Sequence, residues 1–192
     1  VLFPGVALPL HVFEPRYRSM VQDALAGDRT IGMVLLQPGY EADYHGRPPI
    51  YPVGCSGRIL EEERLDDGRF NILLLGQARF RVAGEHEGRP YRLATVEDLP
   101  DPVGDASSLG ALRERLLGAV ARATSGEARV ELADEVSPAA LVNGLAQGLD
   151  LLPVEKLSLL VCDTVEARAA RLLEILEFRA LERSTGRSGT LH

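Results

Sequence analysis

Residues 2–21, LFPGVALPLHVFEPRYRSMV, compress a strand, a break and a helix start into one stretch. Leu8-Pro9-Leu10-His11-Val12-Phe13 is apolar and suited to a strand, but Pro4 and Pro9 have no N–H to give to a ladder. The segment is therefore expected at a sheet edge, at a bulge, or as a strand broken by turns. Glu14-Pro15 ends it, since a residue before proline is driven from the α region while proline suits the first position of a helix. Tyr17, Met20, Val21, Ala24 and Leu25 then recur at helical spacing, and Gly27 stands where a C-terminal cap belongs. Gly5, between Pro4 and Val6, is expected in a tight turn with positive φ. Arg16 and Arg18 are expected to point away from the buried helix face, with at least one reaching a carboxylate or carbonyl.

Outward from this stretch the first half reads as strands and turns. Thr30 to Leu36 is a nearly continuous apolar run, expected to be a strand buried on both faces. Gln37 to Pro49 has no periodicity and reads as a long loop. Leu60–Leu65 and Arg69–Leu75 flank Asp66-Asp67-Gly68, a hairpin signal. Ala78–Ala83 and Tyr91–Leu99 complete the β part. In Gly54-Cys55-Ser56-Gly57 the glycines read as a bulge, because the run continues as strand rather than opening the helix a nucleophile elbow needs.

After the Pro100–Asp105 linker the pattern turns helical. Ser108 is expected to cap a helix to Ala123, with Leu109, Leu112, Leu116, Leu117 and Val120 on one face. Ser137-Pro138 opens a helix to Gly148, and Pro153 opens another with Val154, Leu157, Leu160 and Val161 inward. Asp163 or Thr164 starts a long helix to Arg183, and Ser184–His192 is expected to fray. This gives residues 1–104 as a β-barrel domain, 105–185 as a helical bundle and 186–192 as a tail.

Three blocks carry a family resemblance. The opening stretch resembles the start of the Lon protease N-terminal domain, the LON substrate-binding family with its PUA-like β-barrel. Residues 50–59, IYPVGCSGRI, resemble that family's second strand region, and residues 67–82, DGRFNILLLGQARFRV, resemble its hairpin with Asp-Gly-Arg before the strand and Arg-Phe-x-Val after it. Leu151 to Leu176 is similar to the helical part behind the barrel. The resemblance implies an α+β protein, a PUA-like β-barrel followed by a C-terminal helical bundle. It further implies a bacterial, cytoplasmic, non-catalytic module that recognises unfolded or extended polypeptide. In the family a further strand usually precedes this start, so the barrel is expected to be incomplete.

Bulk properties narrow the function classes. The 192 residues are 45% hydrophobic and 26% charged, as in ordinary globular proteins. No apolar run approaches the length of a membrane span. Two cysteines, Cys55 and Cys162, are too few for a disulfide framework or a thiolate zinc site, and both are expected reduced. The net charge of −7 argues against generic nucleic-acid binding. Self-association, if any, is expected to be weak.

Lys156 is the chain's single lysine, and it lies between Glu155 and Leu157, so there is no Walker A loop. On the polar side of its helix it is expected to be solvated rather than paired with a catalytic serine. His11 is expected to bond neighbouring backbone, His86 to sit in a turn, and His45 with Glu41 and Asp43 to be solvated rather than a metal site. Arg79, Arg81, Arg89 and Arg92 gather near one hairpin. Alternation puts Arg79 and Arg81 on an exposed face balanced by Glu85, Glu87 and Glu97 rather than on an RNA-binding face.

No catalytic residue, metal or cofactor is therefore expected. The candidate substrate-binding residues are Tyr40 and Tyr44 in the long loop and Tyr51 just beyond it, large amphipathic side chains of the kind found at recognition sites. The Pro100–Asp105 junction, with this loop as a rim, is the expected place of capture. A free-standing LON-domain protein is favoured, because residues 184–189, STGRSG, resemble a chain end. The alternatives are the N-terminal substrate-binding fragment of a full ATP-dependent Lon protease and an RNA-binding PUA-like module.

Overall fold

The computed structural model describes residues 1–44, 46–123 and 136–187. Five strands, β1 (Ala7–Val12), β2 (Thr30–Leu36), β3 (Ile50–Arg64), β4 (Phe70–His86) and β5 (Leu93–Leu99), form one antiparallel sheet. Helix α1 (Pro15–Ala26) interrupts them, and α2 (Ala106–Ala123), α3 (Pro138–Gly148), α4 (Pro153–Leu160) and α5 (Val165–Arg187) follow. This is the α+β arrangement expected. The ladders follow the path β1-β4-β3-β2, and β5 lies beside the second half of β4, whose first half pairs with β1. Among the described residues no ladder returns from β2 to β1 or β5.

Contacts group the chain into two compact units. One comprises Val1–Pro100 with Asn143–Val161, the other Asp101–Val142 with Cys162–His192. The linker at Pro100 is thus not the only crossing, since residues 143–161 return to the sheet.

In the first unit, β1 is an edge strand, as Pro9 requires, and Pro15 opens α1. Gly5 has φ +73° and donates its N–H to the Gly76 carbonyl (2.9 Å). A side chain there would meet no atom within 4 Å, so Gly5→Val is a test of backbone strain alone. It should cost about 1–3 kcal/mol, read from the denaturation midpoint. The Asp66-Asp67-Gly68 turn forms as expected, with Gly68 at φ +81° and the Leu65 N–H on the Arg69 carbonyl (2.9 Å). The β3–β4 register shifts at Cys55/Gly57, where Ser56 alone faces Gln77 and Ala78 and its Oγ donates to the Ala78 carbonyl (3.1 Å), and again at Ile59/Glu61, where the extra residue is Leu60 of β3. Gly54 has to be glycine because a Cβ would lie 2.6 Å from the Phe80 ring. The core comprises Leu2, Phe3, Val21, Val53, Cys55, Ile59, Leu74 and Phe80 with Leu157, Leu159 and Leu160 of α4.

Several expectations fail locally. Only Ile31 of β2 is buried, because β2 pairs with β3 alone and forms the end of the path. Gly27 does cap α1, its N–H on the Ala24 carbonyl (3.1 Å), but the left-handed residue is Arg29 (φ 64°), its N–H on the same carbonyl (2.8 Å) and its guanidinium on Ile59 and Glu62. In α4 the buried side chains are Leu157, Leu159 and Leu160, while Val154 and Val161 are exposed. Asn143, buried, donates its amide to the Pro4 carbonyl (2.9 Å) and ties α3 to the opening turn.

In the second unit, α2 packs on α5 through Leu109, Leu116, Val120, Leu172 and Leu176. Ser108 is not the cap of α2, which begins at Ala106; its hydroxyl bonds Asp105 and Glu166. These hydrogen bonds, with one from the Asp105 N–H, hold the Glu166 carboxyl below its usual pKa. Ser137 does cap α3 through the Ala140 N–H (3.2 Å), and Thr164 caps α5 through Ala167 (3.0 Å). Helix α5 runs on to Arg187, beyond the expected end at Arg183 and through residues 184–187 of the stretch expected to fray. Its first turn carries Arg168, fully buried and bidentate on Asp101 (2.7 and 3.1 Å). Among the described residues no helix is long and apolar enough to cross a membrane.

Candidate functional site

The described residues of the long loop belong to the first unit. The base of the loop is closed by the Gln37 N–H on the Pro49 carbonyl and the Gln37 amide on the Ile50 carbonyl, both 2.8 Å. Gly39, at φ +86°, turns the chain into a short 3₁₀ segment over Tyr40–Asp43. The rings of Tyr40 and Tyr44 lie 6.1 Å apart at 52°, a tilted aromatic pair.

The start of α1 clamps Tyr44. Tyr44 donates its hydroxyl to Glu14 Oε1 (2.7 Å), and Arg16 Nε donates to Glu14 Oε2 (3.1 Å). Arg16 Nη1 reaches the Tyr44 carbonyl (2.9 Å), fulfilling the expectation for this arginine. The guanidinium lies 4.7 Å from the Tyr17 ring centre and 5.0 Å from that of Tyr44, within cation–π range. The bond to Glu14, helped by burial, raises the Tyr44 hydroxyl above its usual pKa. Tyr51, half-buried at the start of β3, shares no ring contact with either tyrosine.

Beside the clamp is a cavity of about 250 Å³. Arg16, Arg47, Arg89 and Arg92 line it, together with an apolar wall that includes Leu36, Pro48, Pro90 and Tyr91. Arg92 donates to Glu85 (2.5 Å) and to the Pro48 carbonyl (2.7 Å), bracing the loop against β4. Arg47 Nη2 donates to the His86 carbonyl (3.1 Å). Asp23 accepts the Tyr91 hydroxyl (2.5 Å) and faces Arg89 at 3.3 Å. Burial, then the Asp23 bond, raises the Tyr91 hydroxyl above its usual pKa.

The structure separates the arginines that sequence grouped. Arg89 and Arg92 line the cavity, but Arg81 is exposed in register with Glu97. Arg79 is buried, contrary to its expected exposure. Its guanidinium donates to the Leu160 carbonyl (2.9 Å) and the Pro100 carbonyl, so backbone oxygens replace water. Arg16 and Arg47 were not linked to this group by any sequence pattern, because the fold gathers them from α1 and the loop.

The other chemical candidates resolve differently. His11 bonds side chains, Asn71 Oδ1 (2.7 Å) and Arg69 (3.2 Å), rather than backbone, because its strand partner is Asn71. His86 ends β4 and meets Thr95 Oγ1 (2.6 Å) across the ladder instead of sitting in a turn. His45 lies outside the described residues, among which no group of three acids, histidines or cysteines could hold a metal. Lys156 is not simply solvated: its ammonium donates to the Gln147 carbonyl (2.6 Å), and burial lowers its pKa. Cys55 is buried within β3 and Cys162 half-buried, and they form no disulfide with each other.

Comparison with known proteins puts this architecture in context. A family model described as the ATP-dependent protease La (LON) substrate-binding domain matches residues 1–177. Lon protease of Flavobacterium johnsoniae is 26% identical over 95% of this chain and 23% of its own length. Lon protease of Cytophaga hutchinsonii is 35% identical over 56% of this chain and 13% of its own. The chain thus spans less than a quarter of the curated relatives it matches. Among solved structures, a Lon N-terminal domain protein from Xanthomonas campestris superposes with TM-score 0.61 at 25% identity, covering 91% of this chain and 92% of that one. The N-terminal domain of Mycobacterium avium complex Lon protease shares the fold, with TM-score 0.66 at 18% identity, covering 95% of this chain and 93% of that one. With a family match that takes in both the sheet and the helices, the chain belongs to the LON substrate-binding domain family.

Proposed function

We propose that the protein holds segments of unfolded or extended polypeptide against its sheet-bearing unit, with the Gln37–Pro49 loop as the contact surface. The observation that carries this reading is the match to a substrate-binding domain over residues 1–177. The loop supports it physically. Tyr40 and Tyr44 offer large amphipathic faces, and Tyr44, against which the Tyr40 ring lies, is already held by Glu14 and Arg16, so less ordering is left to do on binding. Tyr51 is the third proposed contact. Strand β2, which leads into the loop, pairs among the described residues with β3 alone, so its other edge offers backbone groups for an extended chain.

Binding should be weak, about micromolar, because ordering the unfolded partner offsets much of the contact energy. Fluorescence anisotropy with a labelled, permanently unfolded polypeptide measures it. Tyr40→Ala combined with Tyr44→Ala should weaken binding about tenfold, the loss expected of aromatic anchors. An unfolded polypeptide that fails to bind, or binds the double variant equally well, refutes the reading.

A further inference from the structure

We propose that the arginine-lined cavity takes a carboxylate of the bound polypeptide, so that capture favours segments with an acidic side chain, or a free C-terminus, next to an apolar residue. The inference rests on the polypeptide-binding reading and names the chemistry of one of its contacts. Four guanidiniums line one cavity in a protein whose net charge is −7, and no carboxylate is among the described lining residues.

The charges around the cavity set what it can hold. Arg16 is paired with Glu14, Arg89 with Asp23 and Arg92 with Glu85. The Arg47 guanidinium bonds a neutral carbonyl, while the Asp43 carboxylate in the same loop engages the Arg47 backbone N–H (3.1 Å). Among the described residues the Arg47 guanidinium therefore faces the cavity without a carboxylate partner, and Arg89, more than half exposed, meets Asp23 at 3.3 Å. A guanidinium carries five N–H donors in a planar fork that matches a carboxylate, so both arginines keep donors for a ligand.

That balance suits a single negative charge rather than a polyanion. The wall of Leu36, Pro48, Pro90 and Tyr91 suits an apolar group alongside it. A nucleic-acid strand would bring many phosphates to a surface already negative overall.

Anisotropy with short labelled peptides and the intact protein tests this. One apolar peptide carries a central glutamate and an amidated end. A second replaces glutamate by glutamine, and a third pairs that glutamine with a free C-terminal carboxylate. Single-stranded RNA of similar length is the fourth probe. A carboxylate-bearing peptide should bind about fivefold tighter than the all-amide peptide, the scale of a partly exposed ion pair. The double variant Arg47→Gln, Arg89→Gln, checked for folding by circular dichroism, should erase that preference. The two carboxylate peptides show whether a side chain or a chain end is preferred.

Equal binding of all three peptides overturns the inference while leaving the polypeptide reading intact. So does a preference that survives in the double variant. No binding by any peptide or by the unfolded polypeptide overturns both, and RNA binding tighter than every peptide replaces both with a nucleic-acid site.

Discussion

Gly76→Ala is expected to lower the melting temperature by about 10 °C, corresponding to roughly 3 kcal/mol or more for a chain of this size. Gly76 lies where the opening turn crosses β4. Its N–H donates to the Val6 carbonyl and its carbonyl accepts the Gly5 N–H, both at 2.9 Å. A Cβ there would stand 2.8 Å from the Phe3 carbonyl carbon and closer still to its oxygen. Those atoms are backbone, so no rotamer change relieves the overlap. The turn must move away and break both hydrogen bonds, pulling buried Leu2 and Phe3 with it. Gly84, in the same strand, is the control: an added Cβ meets nothing within 4 Å, and Gly84→Ala should change stability by no more than about 0.5 kcal/mol. Equal melting temperatures for the two variants would contradict the close approach at Gly76.

Asp101→Asn is expected to be at least as costly, about 3–5 kcal/mol, because it removes the negative charge that both terminal nitrogens of the buried Arg168 bond. The Arg168 side chain has no solvent exposure, and both of its terminal nitrogens donate to the Asp101 carboxylate. Asparagine keeps one acceptor but not the charge, leaving the guanidinium buried against a neutral amide. Replacing both residues by apolar ones, Asp101→Val with Arg168→Met, should recover much of the loss, since a buried pair stabilises little relative to good apolar packing. Urea denaturation measures this. A double variant less stable than Asp101→Asn would show that the pair itself, rather than the guanidinium left without its carboxylate, dominates. The neighbouring bonds of α5, Val165 N–H to the Pro102 carbonyl (2.9 Å) and Glu166 N–H to the Val103 carbonyl (3.1 Å), should weaken in the same variant.

What could be read from the sequence was what local chemistry specifies. Pro15 opening α1, the left-handed Gly5, the Asp66-Asp67-Gly68 turn and the caps Ser137 and Thr164 depend on neighbours a few residues away. The failures share a different cause. Arg79 follows the alternation of an exposed strand face, but the carbonyls that bury it come from Pro100 and Leu160. Val154 and Val161 fit a helical stripe, yet α4 presents Leu159 to the core instead. In the candidate site the loop and its tyrosines were legible from composition. The cavity was not, because Arg16, Arg47, Arg89 and Arg92 have no common period and meet only after α1, the loop and the β4–β5 connection have packed.

The discontinuous first unit has a consequence for synthesis on the ribosome. Its sheet is complete in the nascent chain once Pro100 has been made, but its closing residues, Asn143–Val161, come only after the stretch 101–142. At about 5–20 residues per second the sheet waits roughly 3–12 s for α4. Throughout that interval the Arg79 guanidinium lacks the Leu160 carbonyl, and the Pro4 carbonyl lacks the Asn143 amide. Core side chains that α4 later covers remain open to solvent and to other chains. Vectorial folding therefore stalls at a half-covered sheet, and the emergence of Val161 from the exit tunnel, rather than of Pro100, marks the point at which this unit can become stable.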